Sequence, residues 1–196
     1  WRDCTGIGKK VEWERMEGEM TEYSIIREAI NKYKPSHVFA MYSSGNDSVC
    51  ATHLAFQHPE TNAAVMVDTG IAVAEAHDHA KLTCKKMGWK LLVYKSPFVY
   101  EDIVMKYGFP GAAQHGAMYI QLKERAIDAL IREHKTHRRD KILLITGVRK
   151  QESARRMISV ISPIVEDGGR VWVAPMWEWS NEDRDNYIER YGLPRN

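Results

Sequence analysis

Apolar positions along the chain fall into two alternating kinds of run. Short, nearly unbroken runs occur at 37–42 (HVFAMY), 63–67 (AAVMV), 90–94 (KLLVY), 141–146 (KILLIT) and 171–175 (VWVAP). Runs of this length with no polar alternation predict strands covered on both faces, as in a parallel sheet. Between them the apolar residues recur at helical spacing. Thr21 to Ser24 offer capping groups ahead of Ile25, Ile26, Ala29 and Ile30, and Pro35 ends that segment. Further helices are predicted over 49–57, stopped before Pro59; over 72–87, with Gly88 as its stop; over 100–107; over 119–134; and after Ser180-Asn181-Glu182-Asp183 as a cap. Strands alternating with helices predict an α/β fold: a mostly parallel five-stranded sheet with helices on both faces, in three layers. Residues 1–20 are polar and without period, so they read as an N-terminal arm, and residues 21–196 as a single domain.

Composition narrows the class. With 196 residues, 44% hydrophobic and 28% charged, the chain is long enough to bury a core and is neither disordered nor disulfide-stapled. No apolar run approaches the ~20 residues that cross a bilayer, and no basic-then-apolar leader opens the chain, which predicts no membrane association. Cys4, Cys50 and Cys84 are odd in number and widely spaced, which predicts reduced thiols and a cytoplasmic location. A net charge of +2 is too small to indicate nucleic acid by itself.

The chemistry is expected where open parallel sheets bind ligands, in the crevice beyond the carboxyl ends of the strands. Three predicted strand ends carry loop-forming polar sequence. Ser43-Ser44-Gly45-Asn46-Asp47-Ser48 joins a strand to a helix, so backbone N–H groups, a helix dipole and hydroxyls converge on one spot suited to phosphate. Asp47 there reads either as a loop-stabilising or metal-linked carboxylate or as an N-cap. The GxxxxGK[ST] pattern is missing. Asp68-Thr69-Gly70 closes the second strand with an acceptor and a flexible turn. Gly147-Val148-Arg149-Lys150-Gln151-Glu152-Ser153-Ala154-Arg155-Arg156 places four cations in ten residues at the end of the fourth strand. Arginine forks match phosphate and sulfate oxygens. Arg149 follows directly from the buried run and is expected to meet a ligand, whereas Lys150 is expected to be solvated.

Other candidates are weaker. Cys50 lies on the first turn of a helix, where a dipole lowers a thiol's pKa, but its apolar setting suggests packing. His77-Asp78-His79 point different ways on a helix and lack a partner ligand, so no metal is predicted. His115 and Lys123 are candidate substrate contacts. Trp172, Trp177 and Trp179 read as core and lid packing.

Taken together the motifs resemble the PP-loop superfamily of adenine nucleotide α-hydrolases, and more narrowly the phosphoadenosine phosphosulfate (PAPS) reductase family and its relatives in DNA phosphorothioation. Residues 43–48 match the S-x-G-x-D-S pyrophosphate loop and 67–70 the D-T-G signature, 147–156 are similar to the G-x-R-x-x-E-S-x-R motif, and Pro175-Met176-Trp177-Glu178-Trp179 resembles the P-[IL]-x-x-W segment, in order from about residue 37 to the end. The resemblance implies a Rossmann-type three-layer sandwich binding PAPS or ATP. Ser43, Ser44, Gly45, Asn46, Asp47 and Ser48 would hold phosphates, Asp68, Thr69 and Gly70 would lie near the adenosine, and Gly147, Arg149, Glu152, Ser153, Arg155 and Arg156 near the anionic end. It implies an enzyme of sulfur metabolism that reduces PAPS with an external thiol reductant of the thioredoxin type. The alternatives are an ATP pyrophosphatase using Mg²⁺ to adenylate a substrate for sulfur transfer, or a non-catalytic nucleotide-binding subunit with a DNA-modification partner. ATP-cleaving members carry Lys where Asn46 stands. Some relatives carry cysteine near Met118, and members that reduce PAPS use a cysteine in a tail past the last helix, a position after Asn196.

Overall fold

The computed structural model describes residues 22–71, 74–109, 111, 118, 120–152 and 162–196. The expected N-terminal arm, Cys4, Thr21, Ala72, His115, Tyr119, Ser153, Arg155 and Arg156 lie outside the described residues. Elements run in the order α1 (Glu22–Tyr33), β1 (His37–Met41), α2 (Asn46–Ala55), β2 (Thr61–Asp68), α3 (Ala74–Met87), β3 (Leu91–Lys95), α4 (Tyr100–Tyr107), a π-helical turn (Ile120–Glu124) leading into α5 (Arg125–His134), β4 (Ile142–Ile145), β5 (Ile164–Asp167), β6 (Arg170–Val173) and α6 (Asn181–Tyr191).

The strands form one sheet of order β3-β2-β1-β4-β6-β5, with every neighbouring pair parallel except β5 and β6. The sixth strand corrects the expected count of five. It is a short edge strand whose Val165, Glu166 and Asp167 are exposed, so its sequence carries no buried apolar run, and the turn Gly168-Gly169 folds it back on β6.

Strand alternation sorts the core into two layers. Val38, Ala40, Ala64, Met66, Leu143, Ile145, Val171 and Val173 face one side, where Ile26 and Ala29 of α1, Val49 and Leu54 of α2, Ala80 and Cys84 of α3 and Ile188 of α6 cover them. Phe39, Ala63, Val65, Ile142 and Leu144 face the other side, under Ile127 and Leu130 of α5. Burial on both faces is why these strands read as continuous apolar runs. No helix among the described residues is long and apolar enough to cross a membrane.

Two element boundaries bear on the site. α2 begins at Asn46, three residues before the predicted start at Val49, so Asn46, Asp47 and Ser48 belong to its first turn rather than to a loop. α6 is fixed by a capping box: the Asp183 amide donates to Ser180 Oγ at 3.1 Å and the Ser180 amide donates to Asp183 Oδ2 at 2.8 Å. Gly192 ends it in the left-handed region at φ 58°.

Candidate active site

The strand order reverses between β1 and β4: the chain leaves β1 toward β2 and β3, and leaves β4 toward β6. A cavity of about 440 Å³ opens where these two strands end, at the switch point where α/β sheets bind ligands. One half of its wall is apolar, built from Met41, Val65, Val67, Ile127 and Trp172; the other half is Ser43, Gly45, Asp47, Ser48, Thr146 and Gly147.

The polar half is made by a compact turn. Ser44 takes a left-handed backbone at φ 63° and is buried, a conformation that costs of order 1 kcal/mol or more for a residue other than glycine. Ser48 ties the turn together: its hydroxyl donates to the Gly45 carbonyl at 2.8 Å and accepts from the Ser43 amide at 3.2 Å. Gly45 is the N-cap of α2 and supplies no side chain to cap it. The first-turn amides of a helix have no intrahelical partner, so α2 presents an uncapped positive end to the cavity, a ready anion cradle. A Cβ on Gly45 would meet nothing nearer than Ser43 Oγ at 3.8 Å, so the space in front of it is open. Asn46 Oδ1 is buried with no hydrogen-bond partner among the described residues. Lys123, on the π-helical turn, reaches the cavity wall beside Ile127.

The β4 end is arranged differently. A Cβ on Gly147 would lie 2.5 Å from the Asp47 carbonyl oxygen and 2.9 Å from the Ser48 amide nitrogen, so this position needs glycine for close backbone approach. Two residues on stands Arg149, which the sequence reading assigns to a ligand. It is 3% exposed and absent from the cavity wall. Its Nε donates to Asp47 Oδ1 at 2.6 Å, its Nη2 to Asn181 Oδ1 at 2.9 Å and its Nη1 to the Trp179 carbonyl at 3.4 Å. A desolvated guanidinium binds the nearest acceptors, and those are supplied by the protein. Asp47 is thus held by Arg149 and, at 3.7 Å, by Arg184. Lys150 is about half exposed and pairs with Glu178 at 3.8 Å, on the solvated face expected for it; Glu152 closes a 3-10 turn.

At the β2 end, Asp68 Oδ1 accepts from the Gly70 amide at 2.9 Å, closing a turn in which Gly70 has φ 76°, and lies 3.5 Å from His77 Nε2. Thr69 is buried. His79 instead meets the Arg195 carbonyl at 3.2 Å, so the two histidines diverge. Cys50 and Cys84 are buried; burial pushes the Cys50 thiol up to about 12, helped by the Asp47 charge, and Cys84 up to about 11. Neither supplies a thiolate nucleophile near neutral pH.

Trp172 was expected in packing and forms part of the cavity wall; Asn181 and Arg184 carried no sequence signal beyond a helix start. Strand alternation places Trp172 on the α5 side of β6, where it packs against the second core layer and also lines the cavity.

The sequence profile of the phosphoadenosine phosphosulfate reductase domain matches residues 37–196. The chain belongs to that family. Among solved structures, the family domain resembles PAPS reductase from Candida auris in its phosphate complex, with a TM-score of 0.65 and 16% identity over 93% of this chain and 85% of that one. It also resembles Candida glabrata FMN adenylyltransferase in complex with FAD and inorganic pyrophosphate (TM-score 0.60, 14% identity, 89% of this chain and 57% of the enzyme). A third likeness is the U34-tRNA thiolase NcsA from Methanococcus maripaludis with its [4Fe-4S] cluster (TM-score 0.58, 16% identity, 89% of this chain and 64% of the thiolase). At these identities the likenesses establish the fold. No curated protein matches the chain in sequence.

Proposed function

We propose that this PAPS reductase family domain binds a sulfonucleotide, with PAPS as the ligand, and acts in thiol-dependent reduction that releases sulfite. The observation that carries the reading is the uncapped first turn of α2 opening onto a cavity whose other half is apolar: an anion cradle beside a slot for a flat base. Ser43, Ser44, Gly45, Asn46 and Ser48 are assigned to the phosphates, and Lys123 to the anionic end of the ligand. Asp68, Thr69 and Gly70 are assigned to the nucleoside side.

In the proposed reaction a thiolate forms a bond to the sulfuryl sulfur, the S–O bond to the nucleotide phosphate breaks, and adenosine bisphosphate leaves. A second thiol, from a reductant of the thioredoxin type, then releases sulfite as a disulfide forms. The attacking thiol is assigned outside the described residues, since burial disables Cys50 and Cys84. Asn196 Nδ2 donates to Ser44 Oγ at 3.3 Å, so chain continuing past Asn196 would start beside the phosphate loop. A reducing compartment, the cytoplasm, suits this chemistry.

Adenylation by ATP with Mg²⁺ is the competing reading. Asp47 Oδ1 is engaged by Arg149 and faces Arg184, a setting that disfavours a cation beside it, and Asn46 adds no cation. No step is assigned through a metal.

Thermal melts with PAPS, with ATP and Mg²⁺, and with AMP as control test the reading. A ligand at a hundred times its Kd stabilises by about 2.7 kcal/mol, which raises Tm by roughly 5–10 °C in a chain of this size. PAPS is expected to give that shift. A shift with ATP and Mg²⁺ alone would replace the sulfonucleotide reading with adenylation, and no shift with either would remove nucleotide binding.

A further inference from the structure

The Arg149 guanidinium joins two parts of the chain that are far apart in sequence: Asp47 in the first turn of α2, and the segment at the start of α6 that supplies the Trp179 carbonyl and Asn181. α6 packs against α2. His53 Nδ1 is 2.7 Å from the Tyr187 hydroxyl, and the Cys50 thiol approaches the Arg184 carbonyl at 4.0 Å. Beyond α6 the chain returns to the loop itself through the contact between Asn196 and Ser44, the residue with the strained backbone. The phosphate loop is therefore gripped at two points by the segment that follows β6, and pressed at a third by Gly147.

We propose that Arg149 is a positioning residue: it sets the shape of the phosphate loop by locking the first turn of α2 to α6, and its effect on the nucleotide passes through Asp47. The proposal rests on the nucleotide reading above for its ligand, but not for its geometry. Three features favour positioning over direct contact. The guanidinium is buried and away from the cavity wall. Its strongest contact is a carboxylate, which reduces the charge it offers to a ligand phosphate. Its other acceptors belong to the α6 segment, which does not line the cavity. Asn181 is the informative partner. It accepts from both Arg149 Nη2, at 2.9 Å, and Arg184 Nη1, at 3.2 Å, and Arg184 in turn faces Asp47. One amide oxygen thus orders both cations that hold the loop carboxylate.

The test compares the full chain with Arg149→Gln, Asn181→Ala and Asn181→Asp. Amide hydrogen exchange across residues 43–49 is read without ligand, and the affinities for PAPS and for ATP with Mg²⁺ are read by calorimetry. Arg149→Gln and Asn181→Ala are expected to speed exchange across the loop by about tenfold and to weaken nucleotide binding by about fivefold to thirtyfold. Asn181→Asp returns an acceptor to both guanidinium groups and is expected to restore protection and affinity together. If Arg149→Gln weakens binding while loop exchange stays as in the parent chain, the guanidinium touches the ligand and the proposal falls. It also falls if Asn181→Ala, a milder change should Arg149→Gln fail to fold, moves neither readout. If loop exchange responds as expected but the parent chain binds neither nucleotide, the brace stands and the nucleotide reading is what fails.

Discussion

Two neighbouring loops at the carboxyl end of the sheet make a useful contrast. The β1 loop and the β4 loop leave adjacent strands, border the same cavity and are both dense in polar residues. The β1 loop keeps its donors on the cavity wall: Ser43, Gly45 and Ser48 line it, and the first turn of α2 is left uncapped. The β4 loop turns Arg149 into the protein, where Asp47, Asn181 and the Trp179 carbonyl receive it. The difference comes from backbone approach. Gly147 brings the β4 loop against the Asp47 carbonyl, so Arg149 arrives beside a carboxylate and away from open solvent. A cation next to a binding motif is thus as readily a part of the scaffold as a part of the site, and burial with local acceptors decides which.

The two glycines give the sharpest way to break this contrast. Gly147→Ala puts a Cβ within 2.6 Å of two backbone atoms of Asp47, so α2 or the β4 loop must shift. We expect a stability loss of about 2–3 kcal/mol and a fall in Tm of roughly 5–10 °C, measured by calorimetry. A melting temperature equal to that of the parent chain would mean that the β4 loop does not press on α2.

The far end of α2 offers a pH probe of nearly the same size. Burial holds the His58 imidazole down at about 4, below its ordinary 6.5. The folded chain therefore binds that proton less readily than the unfolded chain. The stability contribution is full above about pH 6.5, falls as pH drops toward 4 and is level below, a loss on the order of 2–3 kcal/mol. Urea melts across this range should show it, and His58→Leu should flatten it while nucleotide affinity stays the same. An equally steep profile in His58→Leu would assign the acid sensitivity to another group, such as His53 or His37, whose burial also lowers their pKa.

Gly45→Ala is the smallest perturbation of the fold. The nearest atom to its Cβ is 3.8 Å away and its φ is −80°, so stability should change by less than about 1 kcal/mol. The methyl group would occupy the space in front of the helix amides, and nucleotide affinity should fall by about tenfold. Unchanged affinity would remove the cradle as the phosphate site, and a large loss of stability would erase the difference between the two glycines.

Much of the fold was legible because burial on both faces leaves an unmistakable mark: β1, β2, β4 and β6 are runs of apolar residues, and the sheet they form is parallel. The Ser180 capping box was equally plain, since its partner is three residues away. β5 was not, because an edge strand with Val165, Glu166 and Asp167 exposed buries too little to leave a pattern. The start of α2 was placed late because Asn46 and Asp47 favour loops in isolation, while in the folded chain Asp47 is paired with Arg149.

By itself the sequence determined the family, the α/β class and the three strand ends where polar residues gather, all of which depend on local propensity, periodicity and short motifs. The tertiary structure alone decided which of those residues face the cavity. Arg149 and Asp47 are 102 positions apart, and Arg149 and Asn181 are 32 apart. Whether a charge meets a ligand or a carboxylate is set by desolvation and by the nearest acceptor in space, and neither quantity exists until distant segments have packed together.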